Sequence, residues 1–450
     1  MRKLAPISGD KVERRSACPG LFRMTEAADG RICRVKLSCG RLSAIQARAV
    51  ADVAERYGNG IIEITNRANL QLRGIREDDA DDVILALTQA GLGPLVPEGD
   101  DIRNVMVSPT AGIDTNLAFD TLPLAESLLE TLQTTPAYYA LSPKFSILID
   151  GGEACAVTNH TSDIWLAATE DGERCVFGLA SCPPAPALGM VAAEDAQALL
   201  TAILGLFLEI GAERPGIVRM KHLVAEMPAS DILDRLRSHL TFPITDAFYW
   251  QRPAPRAFAH LGIHPRLQEG LVYAGAAAPL GRLDPETLRA FADIAVDTNT
   301  DEIRLTPWQS VLLPDIPASR AADILERMRA IGLATDPAVP LASMIACSGS
   351  NGCASALADT QGDGEKLSRL LKTGEAMPVH LTGCPKSCAS IGPAPATLVA
   401  VAAERYDLFL SKNNTGPSRF GQLLAANITI EEAARLLNDA RSLQEKPNVA

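Results

Sequence analysis

Residues 40–75 read GRLSAIQARAVADVAERYGNGIIEITNRANLQLRGI, and residues 281–316 read GRLDPETLRAFADIAVDTNTDEIRLTPWQSVLLPDI. The two segments align without gaps at an offset of 241 residues, and about a third of the aligned positions are identical. Chance rarely produces such agreement over an ungapped segment, so the chain contains a duplicated unit. This repeat decides what kind of fold the chain can adopt.

Each copy of the repeat is predicted to begin with a helix and to continue with two short strands. Ser43 followed by Gln46 forms a capping-box pattern, and Asp284 followed by Pro285 is a typical helix start. The apolar runs IIEIT and LQLRGI of the first copy, joined by a polar turn, are typical of strands. The sequence therefore predicts two α+β half-units that pair about a pseudo-twofold axis.

The offset persists beyond the aligned segments. RNVM at residues 103–106 falls opposite MIAC at residues 344–347, and PK at residues 143–144 falls opposite PK at residues 385–386. The second alignment uses an offset of 242. We therefore expect the first copy to offer basic side chains where the second offers cysteines, with the two walls facing each other across one cavity.

Two pairs of cysteines lie near the C-terminus. Cys347 and Cys353 occur in ACSGSNGC, and Cys384 and Cys388 occur in TGCPKSC. Four thiolates from two short loops can hold one iron–sulfur cube, since cysteine sulfur is the soft anionic ligand that such a cube needs. Zinc is the alternative metal, although the two cysteines of a zinc-binding pair usually bracket two to four residues. The other alternative is that these cysteines bind no metal.

Composition and charge narrow the class of protein. At 450 residues, with 47% hydrophobic residues, the chain has room for two to four domains with ample cores. The net charge of −12 argues against nucleic acid as a partner. MRKLAPISGDKVERR, at residues 1–15, lacks an apolar signal core, and the apolar stretch Ala198–Leu208 is too short for a bilayer. We therefore expect a cytoplasmic protein with reduced thiols and no membrane partner.

At these residues the chain resembles the nitrite and sulfite reductase hemoprotein superfamily. The matching features are the C-x5-C and C-x3-C pairs, the duplication, the TNR turn, RNV and the PKF segment, and they span roughly Cys18 to residue 410. The resemblance implies a 4Fe–4S cluster held by Cys347, Cys353, Cys384 and Cys388. It also implies an anion-binding basic set composed of Arg67, Arg103 and Lys144.

The same resemblance implies a domain organisation. The expected fold class is α+β, with two ferredoxin-like half-domains about a pseudo-twofold axis and two larger α/β domains. The half-domains are expected at residues 17–90 and 255–330, the first larger domain at residues 95–245, and the cluster-bearing domain at residues 335–445.

Within the superfamily, the opening segment at residues 17–54 resembles the precorrin-3B synthases of cobalamin biosynthesis, and so do RNVMVSPTAGID and LVYAGAAAPLGRL. That resemblance implies an O2-dependent monooxygenase that hydroxylates precorrin-3A at C20 and closes a γ-lactone from the ring A acetate. It implies a 4Fe–4S cluster and a mononuclear non-haem iron, without siroheme, and NADH as the formal reductant. No dinucleotide fingerprint or P-loop is apparent in the sequence, so an external electron donor is expected.

Two other functions stay open. Sulfite reductases carry a second lysine two positions after the first, where this chain has Ser146, so a siroheme nitrite reductase is a better alternative than a sulfite reductase. An iron–sulfur or tetrapyrrole carrier without enzymatic activity is the third hypothesis.

In the reaction on precorrin-3A, Arg67 and Arg103 would anchor substrate carboxylates or stabilise charge on oxygen, and Lys144 would serve either role.

The ligands of a mononuclear iron are not assigned from the sequence. His160 with Asp163 has a plausible local spacing, and His260 with His264 would share a face if that stretch were helical. The other cysteines form no convincing ligand set and are predicted to be core or incidental residues: Cys18, Cys33, Cys39, Cys155, Cys175 and Cys182.

Overall fold

The structure is a computed structural model that describes residues 18–298, 300–374, 376–390, 392, 394–411 and 419–444. Residues 1–15, on which the prediction about a signal segment depends, lie outside the described residues, as do the predicted domain limits at residues 17 and 445. The predicted domain boundaries and the cytoplasmic location therefore stay predictions.

The elements follow the chain in four groups. The first group consists of β1 (Thr25–Ala27), β2 (Gly30–Val35), β3 (Arg41–Ser43), α1 (Ala44–Tyr57), β4 (Ile62–Ile64), β5 (Leu70–Ile75) and α2 (Ala80–Gln89). The second consists of β6 (Val105–Val107), α3 (Leu122–Thr134), β7 (Ile147–Asp150), β8 (Ser162–Ala168), β9 (Arg174–Ser181), β10 (Gly189–Ala192), α4 (Ala196–Glu213), α5 (Met220–Glu226) and α6 (Ala229–Ser238).

The third and fourth groups repeat this order. The third consists of β11 (Gly262–Pro265), β12 (Leu271–Ala277), β13 (Arg282–Leu283), α7 (Pro285–Asp297), β14 (Glu302–Leu305), β15 (Ser310–Pro317) and α8 (Ala321–Ala330). The fourth consists of β16 (Met344–Ala346), α9 (Gly349–Gly352), α10 (Thr360–Leu370), β17 (Val379–Thr382), β18 (Ala396–Ala402), β19 (Arg405–Leu410), β20 (Gln422–Ile428) and α11 (Ile430–Gln444).

Both predicted helix starts are confirmed. The Ser43 hydroxyl accepts a hydrogen bond from the Gln46 backbone N–H, and the Gln46 side chain accepts one from the Ser43 N–H, which completes a capping box at α1. At α7 the Asp284 carboxylate accepts from the Thr287 N–H, and Pro285 occupies the first turn. Local sequence alone therefore fixes where the two repeated helices begin.

The two half-domains exchange a strand. β3 pairs antiparallel with β14, with Leu42 opposite Ile303, and β13 pairs antiparallel with β4, with Leu283 opposite Ile62. Within the described residues, the two resulting sheets have the strand orders β1-β2-β5-β4-β13 and β11-β12-β15-β14-β3. Side chains from both sheets and from α1 and α7 form one hydrophobic core. The predicted α+β duplication about a pseudo-twofold axis is confirmed.

The two larger units also share one topology. In the first, β6, β7 and β8 are parallel and β9 and β10 continue antiparallel; in the second, β16, β17 and β18 are parallel and β19 and β20 continue antiparallel. Helix α4 packs into the first of these units with eight buried residues. By length and composition alone, residues 193–213 also meet the criterion for a membrane-spanning helix, which buried core helices often do.

The sequence offset does not hold as a structural equivalence in these units. Arg103 precedes β6, whereas Cys347 follows the equivalent strand β16. Lys144 precedes β7, whereas Cys384 follows β17. The basic residues and the cysteines therefore lie at opposite ends of equivalent strands. For Lys144 the reason is that the segment joining β6 to β7 is longer than the segment joining β16 to β17. For Arg103 the offset is already displaced, because it aligns Arg103 with Met344, the first residue of β16, whereas β6 begins at Val105.

Candidate functional site: a four-cysteine centre beside a basic turn

The four cysteines meet at one edge of a sheet. Cys347 directly follows β16 and Cys353 follows α9, while Cys384 and Cys388 follow β17. Since β16 and β17 are adjacent and parallel, their carboxyl ends lie at the same edge, and the two loops are neighbours. The fold thus brings together two cysteine pairs that the sequence separates.

The backbone around Cys347 is shaped to present its sulfur. The Gly383 N–H donates to Cys347 Sγ over 3.1 Å, and the Thr360 hydroxyl donates to the Cys347 carbonyl over 2.7 Å. A Cβ at residue 383 would lie 2.5 Å from the Ala356 Cβ, so glycine is required for the second loop to approach the first. An N–H donor to sulfur stabilises the thiolate form, which is the form that binds iron.

The donor set fits an iron–sulfur cube. Partial burial raises the pKa of the Cys388 thiol, and the charges of Cys384, Cys347 and Cys353 raise it further, so the four thiols lie within electrostatic range of one another. Among the described residues, no three His, Cys, Asp or Glu side chains converge as ligands of a single ion. A cube holds its irons at separate corners, so its four sulfurs stand farther apart than the ligands of one zinc ion.

A buried arginine joins the first half-domain to the first cysteine loop. Arg73 of β5 is 2% exposed and donates to the Gly352 carbonyl over 2.5 Å and to the Ser348 hydroxyl over 3.0 Å. The same guanidinium pairs with Asp29 at 2.8 Å and with Glu63 at 3.2 Å. Because Ser348 and Gly352 lie between Cys347 and Cys353, Arg73 fixes the loop that carries two of the four thiols.

The turn between β4 and β5 connects the cysteine centre to two of the predicted basic residues. Asn66 donates from Nδ2 to the Cys388 carbonyl over 3.2 Å, and Arg67 donates from Nη2 to the Lys144 carbonyl over 3.5 Å. Burial lowers the pKa of Arg67 to about 10, and the positive charges of Arg34 and Arg219 contribute, so Arg67 stays charged at neutral pH. The structure thus places Arg67 and the Lys144 segment beside the second cysteine loop.

Arg34 belongs to the same basic group, although it is not among the basic residues predicted from the sequence. Its Nη2 donates to Gln71 Oε1 over 3.0 Å. Burial lowers the pKa of Arg34, and the negative charges of Cys18, Glu63, Asp100 and Cys388 oppose that shift, so the guanidinium lies within electrostatic range of the second cysteine loop. The available signal was strand alternation, because Arg34 in β2 lies between Cys33 and Val35, which are both buried.

Arg103 lies in a different environment. It is 7% exposed, and its Nη2 donates to Asp100 Oδ1 over 3.0 Å. Its side chain lines a cleft of about 510 Å³ together with Lys36 and Arg41. The structure therefore does not join Arg103 directly to the turn that carries Arg67, and a role for Arg103 in substrate binding stays a prediction.

The first copy of the larger unit has no equivalent thiol set at the carboxyl ends of β6 and β7. There the Ser108 hydroxyl donates to the Cys155 carbonyl over 2.5 Å, and the Thr110 hydroxyl donates to Asp114 Oδ2 over 2.8 Å. The Cys155 N–H donates to the same Asp114 oxygen over 3.2 Å. These buried side chains fill the position that the cysteine loops occupy in the second copy, so the duplicated fold presents its thiols on one side.

The histidine candidates for a mononuclear iron do not form a ligand set among the described residues. The Asp163 carboxylate is occupied by Arg219 at 2.8 Å and by the backbone N–H groups of Ser146 and Met220. His264 lies in the strand β11, so it does not share a helical face with His260. The described residues therefore do not fit a mononuclear iron of the two-histidine, one-carboxylate type.

The buried His260 predicts acid sensitivity. Burial, with a contribution from His264, lowers the pKa of His260 to about 3, against about 6.5 in an unfolded chain. The contribution of the neutral His260 ring to the free energy of unfolding is complete above pH 6.5. It is lost as the pH falls from 6.5 towards 3, and about 2 kcal/mol is lost by pH 5. His260→Phe keeps the ring stack on Trp308, which has a 4.6 Å centroid distance, and removes the titration.

We therefore expect the difference in thermal midpoint between His260→Phe and the wild type to shift in favour of the variant as the pH is lowered from 7 to 5. His239→Phe is the matched control, because His239 is exposed. A difference that stays constant over this range would contradict the assignment of His260 as a buried neutral imidazole.

The chain matches two family descriptions. Residues 25–90 and 264–331 match "Nitrite/Sulfite reductase ferredoxin-like half domain", which agrees with the two strand-exchanging units. Residues 98–244 match "Nitrite and sulphite reductase 4Fe-4S domain". The second match lies on the first copy of the larger unit, and the four cysteines lie in the second copy. Together the matches cover more than half of the chain and support an iron–sulfur cluster.

Several relatives of known name are similar over most of the chain. A Sinorhizobium protein named precorrin-3B synthase is 29% identical over 454 residues, which cover 98% of this chain and 93% of that protein. The ferredoxin–nitrite reductase of Zea mays is 28% identical, and the alignment covers 86% of this chain and 72% of that protein. The ferredoxin–nitrite reductase of Synechococcus elongatus is also 28% identical, with coverages of 95% and 89%.

A solved structure shares the fold. The Mycobacterium tuberculosis NirA protein superposes with a TM-score of 0.75 at 21% sequence identity, over 93% of this chain and 82% of that chain. The duplicated half-domains, the four-cysteine centre and the two family matches agree with one another. The chain therefore belongs to the nitrite and sulfite reductase family of oxidoreductases.

Proposed function

We propose that this chain is a precorrin-3B synthase. In the proposed reaction, one oxygen atom of O2 enters precorrin-3A at C20 and the other leaves as water. Two electrons come from NADH through an external donor, and the acetate of ring A closes a γ-lactone. The reaction places a tetrapyrrole with many carboxylates beside an iron–sulfur centre.

The observation that carries the proposal is the end-to-end similarity to the Sinorhizobium precorrin-3B synthase, over 98% of this chain and 93% of that protein. The residue at position 146 is consistent with it. Ser146 is fully buried where a sulfite reductase has its second lysine, and its backbone N–H donates to Asp163. A second cation of the sulfite-binding type is therefore replaced by a neutral side chain at this position.

The residues of the site support binding of an anionic tetrapyrrole. Arg34 lies close enough to Arg67 for its charge to lower the pKa of Arg67, and the turn that carries Arg67 bonds to the Cys388 carbonyl through Asn66 and to the Lys144 carbonyl through Arg67. Guanidinium groups bind carboxylates through paired hydrogen bonds, and a substrate carboxylate would relieve the repulsion between the two arginines. The 4Fe–4S cluster, when bound, supplies electrons one at a time from the external donor. We assign no step to a mononuclear iron.

A siroheme-dependent nitrite reductase is the second candidate. It is favoured by the similarity to the two ferredoxin–nitrite reductases and by the exposure of Cys388, whose backbone carbonyl accepts a hydrogen bond from Asn66 of the basic turn. Under this function the same arginines would bind nitrite, because a small anion also satisfies their charge.

One experiment separates the two candidates. Protein purified without oxygen is examined by absorption and EPR spectroscopy, and its macrocycles are extracted with acid and quantified. A cluster signal without siroheme, together with O2-dependent conversion of precorrin-3A, is the expected result. Stoichiometric siroheme with nitrite reduction, and no conversion of precorrin-3A, would replace the proposal with the second candidate.

Arg67→Gln is expected to lower kcat/KM for precorrin-3A by about 10- to 100-fold, the equivalent of one charge-assisted hydrogen bond. The absorption spectrum of the cluster should not change, because Arg67 contacts the Lys144 carbonyl rather than a cysteine. An increase in KM alone would identify a carboxylate anchor, and a decrease in kcat would identify a contact with the reacting centre. Lys144→Met should follow with a smaller effect, since Lys144 is exposed.

Arg76→Gln is the matched control for Arg67→Gln. Arg76 is exposed and pairs with Asp79 three residues away, so its replacement should leave both constants unchanged. Equal kinetics for Arg67→Gln and the control would remove Arg67 from the binding site.

A further inference from the structure

A small cavity lies where the two repeated turns meet the second cysteine loop. Its volume is about 60 Å³, and it is lined by Asn66, His160, Trp308, Ala389 and Ser390 among others. A single water needs about 10–15 Å³ measured in this way, so the cavity holds a few waters or a ligand of two or three heavy atoms. It is far too small for a tetrapyrrole.

His160 is the unusual residue of this cavity. It is 3% exposed, and within the described part of the chain neither Nδ1 nor Nε2 has a hydrogen-bond partner. Burial and the positive charge of Arg67 lower the pKa of His160 to about 4, so the ring is neutral at pH 7. A neutral imidazole has one N–H donor and one acceptor nitrogen, and leaving both unpaired in the interior is costly without a ligand.

The remaining walls of the cavity are more apolar than polar. Trp308 occupies in the second copy the position that Arg67 occupies in the first, and its ring is stacked on His260. Val157 and Ile345 add apolar surface. On the polar side, Asn66 is bonded to the Cys388 carbonyl, so the cavity directly adjoins the loop of the fourth cysteine.

We propose that this cavity binds a small oxygen-bearing ligand and that His160 donates a hydrogen bond to it. The inference rests on the proposed function, under which the ligand is dioxygen. Under the second candidate the ligand is nitrite, which is of similar size and also accepts hydrogen bonds through its oxygen atoms. Apolar walls admit a small neutral molecule, and the imidazole N–H stabilises the negative charge that its oxygen atoms gain on reduction. Trp308 limits the space to two or three heavy atoms.

The test compares His160→Leu with His160→Gln, which retains one donor and one acceptor. His160→Leu is expected to raise the KM for O2 about tenfold, the loss of one hydrogen bond, and to lower the amount of product formed per O2 consumed. The KM for precorrin-3A should stay unchanged, and His160→Gln should restore most of the O2 affinity. His239→Leu, at an exposed histidine, is the control and should match the wild type.

Failure of the inference and failure of the proposed function give different results. If the wild type converts precorrin-3A and all variants share its KM for O2, the role of His160 is wrong and the function stands. If the wild type reduces nitrite instead, the function is wrong, and a raised KM for nitrite in His160→Leu alone keeps the inference. Under the proposed function, crystals pressurised with krypton provide a readout that is independent of turnover: krypton in this cavity is the expected result, and ordered water without krypton would overturn the inference.

Discussion

Cys388→Ala is expected to yield protein that lacks the iron–sulfur cluster and has no activity. A cube that is missing one thiolate loses an iron readily, and Cys388 is the exposed member of the set, so its removal also opens the cluster to solvent. Iron and acid-labile sulfide content, absorption and EPR spectra measure the loss directly. The effect on activity should be complete, because electrons have no other route to the substrate in the proposed reaction.

The matched control is Cys182→Ala. Cys182 is half-buried and lies outside the two cysteine loops, so this variant should contain the full amount of iron and retain activity. Full iron content and full activity in Cys388→Ala would overturn the assignment of the four cysteines. Loss of iron in both variants would instead indicate that the chain tolerates cysteine replacement poorly for reasons unrelated to ligation.

Arg73→Met is expected to destabilise the protein by about 3–5 kcal/mol, because removal of one partner leaves buried charges without compensation. Asp29 would lose its partner at 2.8 Å, and the Gly352 carbonyl would lose its donor at 2.5 Å. The thermal midpoint should fall by roughly 3–5 °C if the 450-residue chain unfolds as one unit. Since Gly352 lies next to Cys353, the iron content should also fall, although less than in Cys388→Ala.

Arg76→Met provides the comparison for this stability effect. Arg76 is 73% exposed and forms a surface pair with Asp79, so its replacement should change stability by less than about 0.5 kcal/mol. Equal thermal midpoints and equal iron contents for the two variants would show that the Arg73 network does not hold the first cysteine loop in place.

The two copies of the larger unit share a topology but carry different side chains at the sheet edge. In both larger units, two adjacent parallel strands end at the same edge of the sheet. Each copy could therefore carry ligand residues for a metal centre at this edge. In the second copy the loops carry cysteines; in the first copy Asp114, Thr110 and Ser108 bond to one another and to Cys155. The turns differ in the same way, with Arg67 in one copy and Trp308 in the other. One chain thus places a basic turn beside a single cysteine centre.

The sequence by itself determined the features that depend on short-range chemistry. The capping box at Ser43 and the N-cap at Asp284 fix two helix starts, because each needs only residues three positions apart. The ungapped repeat determined the two half-domains. The spacing of Cys347 with Cys353 and of Cys384 with Cys388 indicated a soft-metal centre, since each pair lies within one loop.

Only the tertiary structure decided which distant residues meet. Strand exchange between the half-domains, the pairing of Arg103 with Asp100 and the place of His160 between two turns depend on strand order and loop length, which no local pattern encodes. The offset that aligned Lys144 with the second cysteine loop failed for this reason: the connection before β7 is longer than the one before β17, so the same offset reached opposite strand ends. Ligand spacing is a local property of the chain, whereas convergence at a sheet edge is a property of the whole fold.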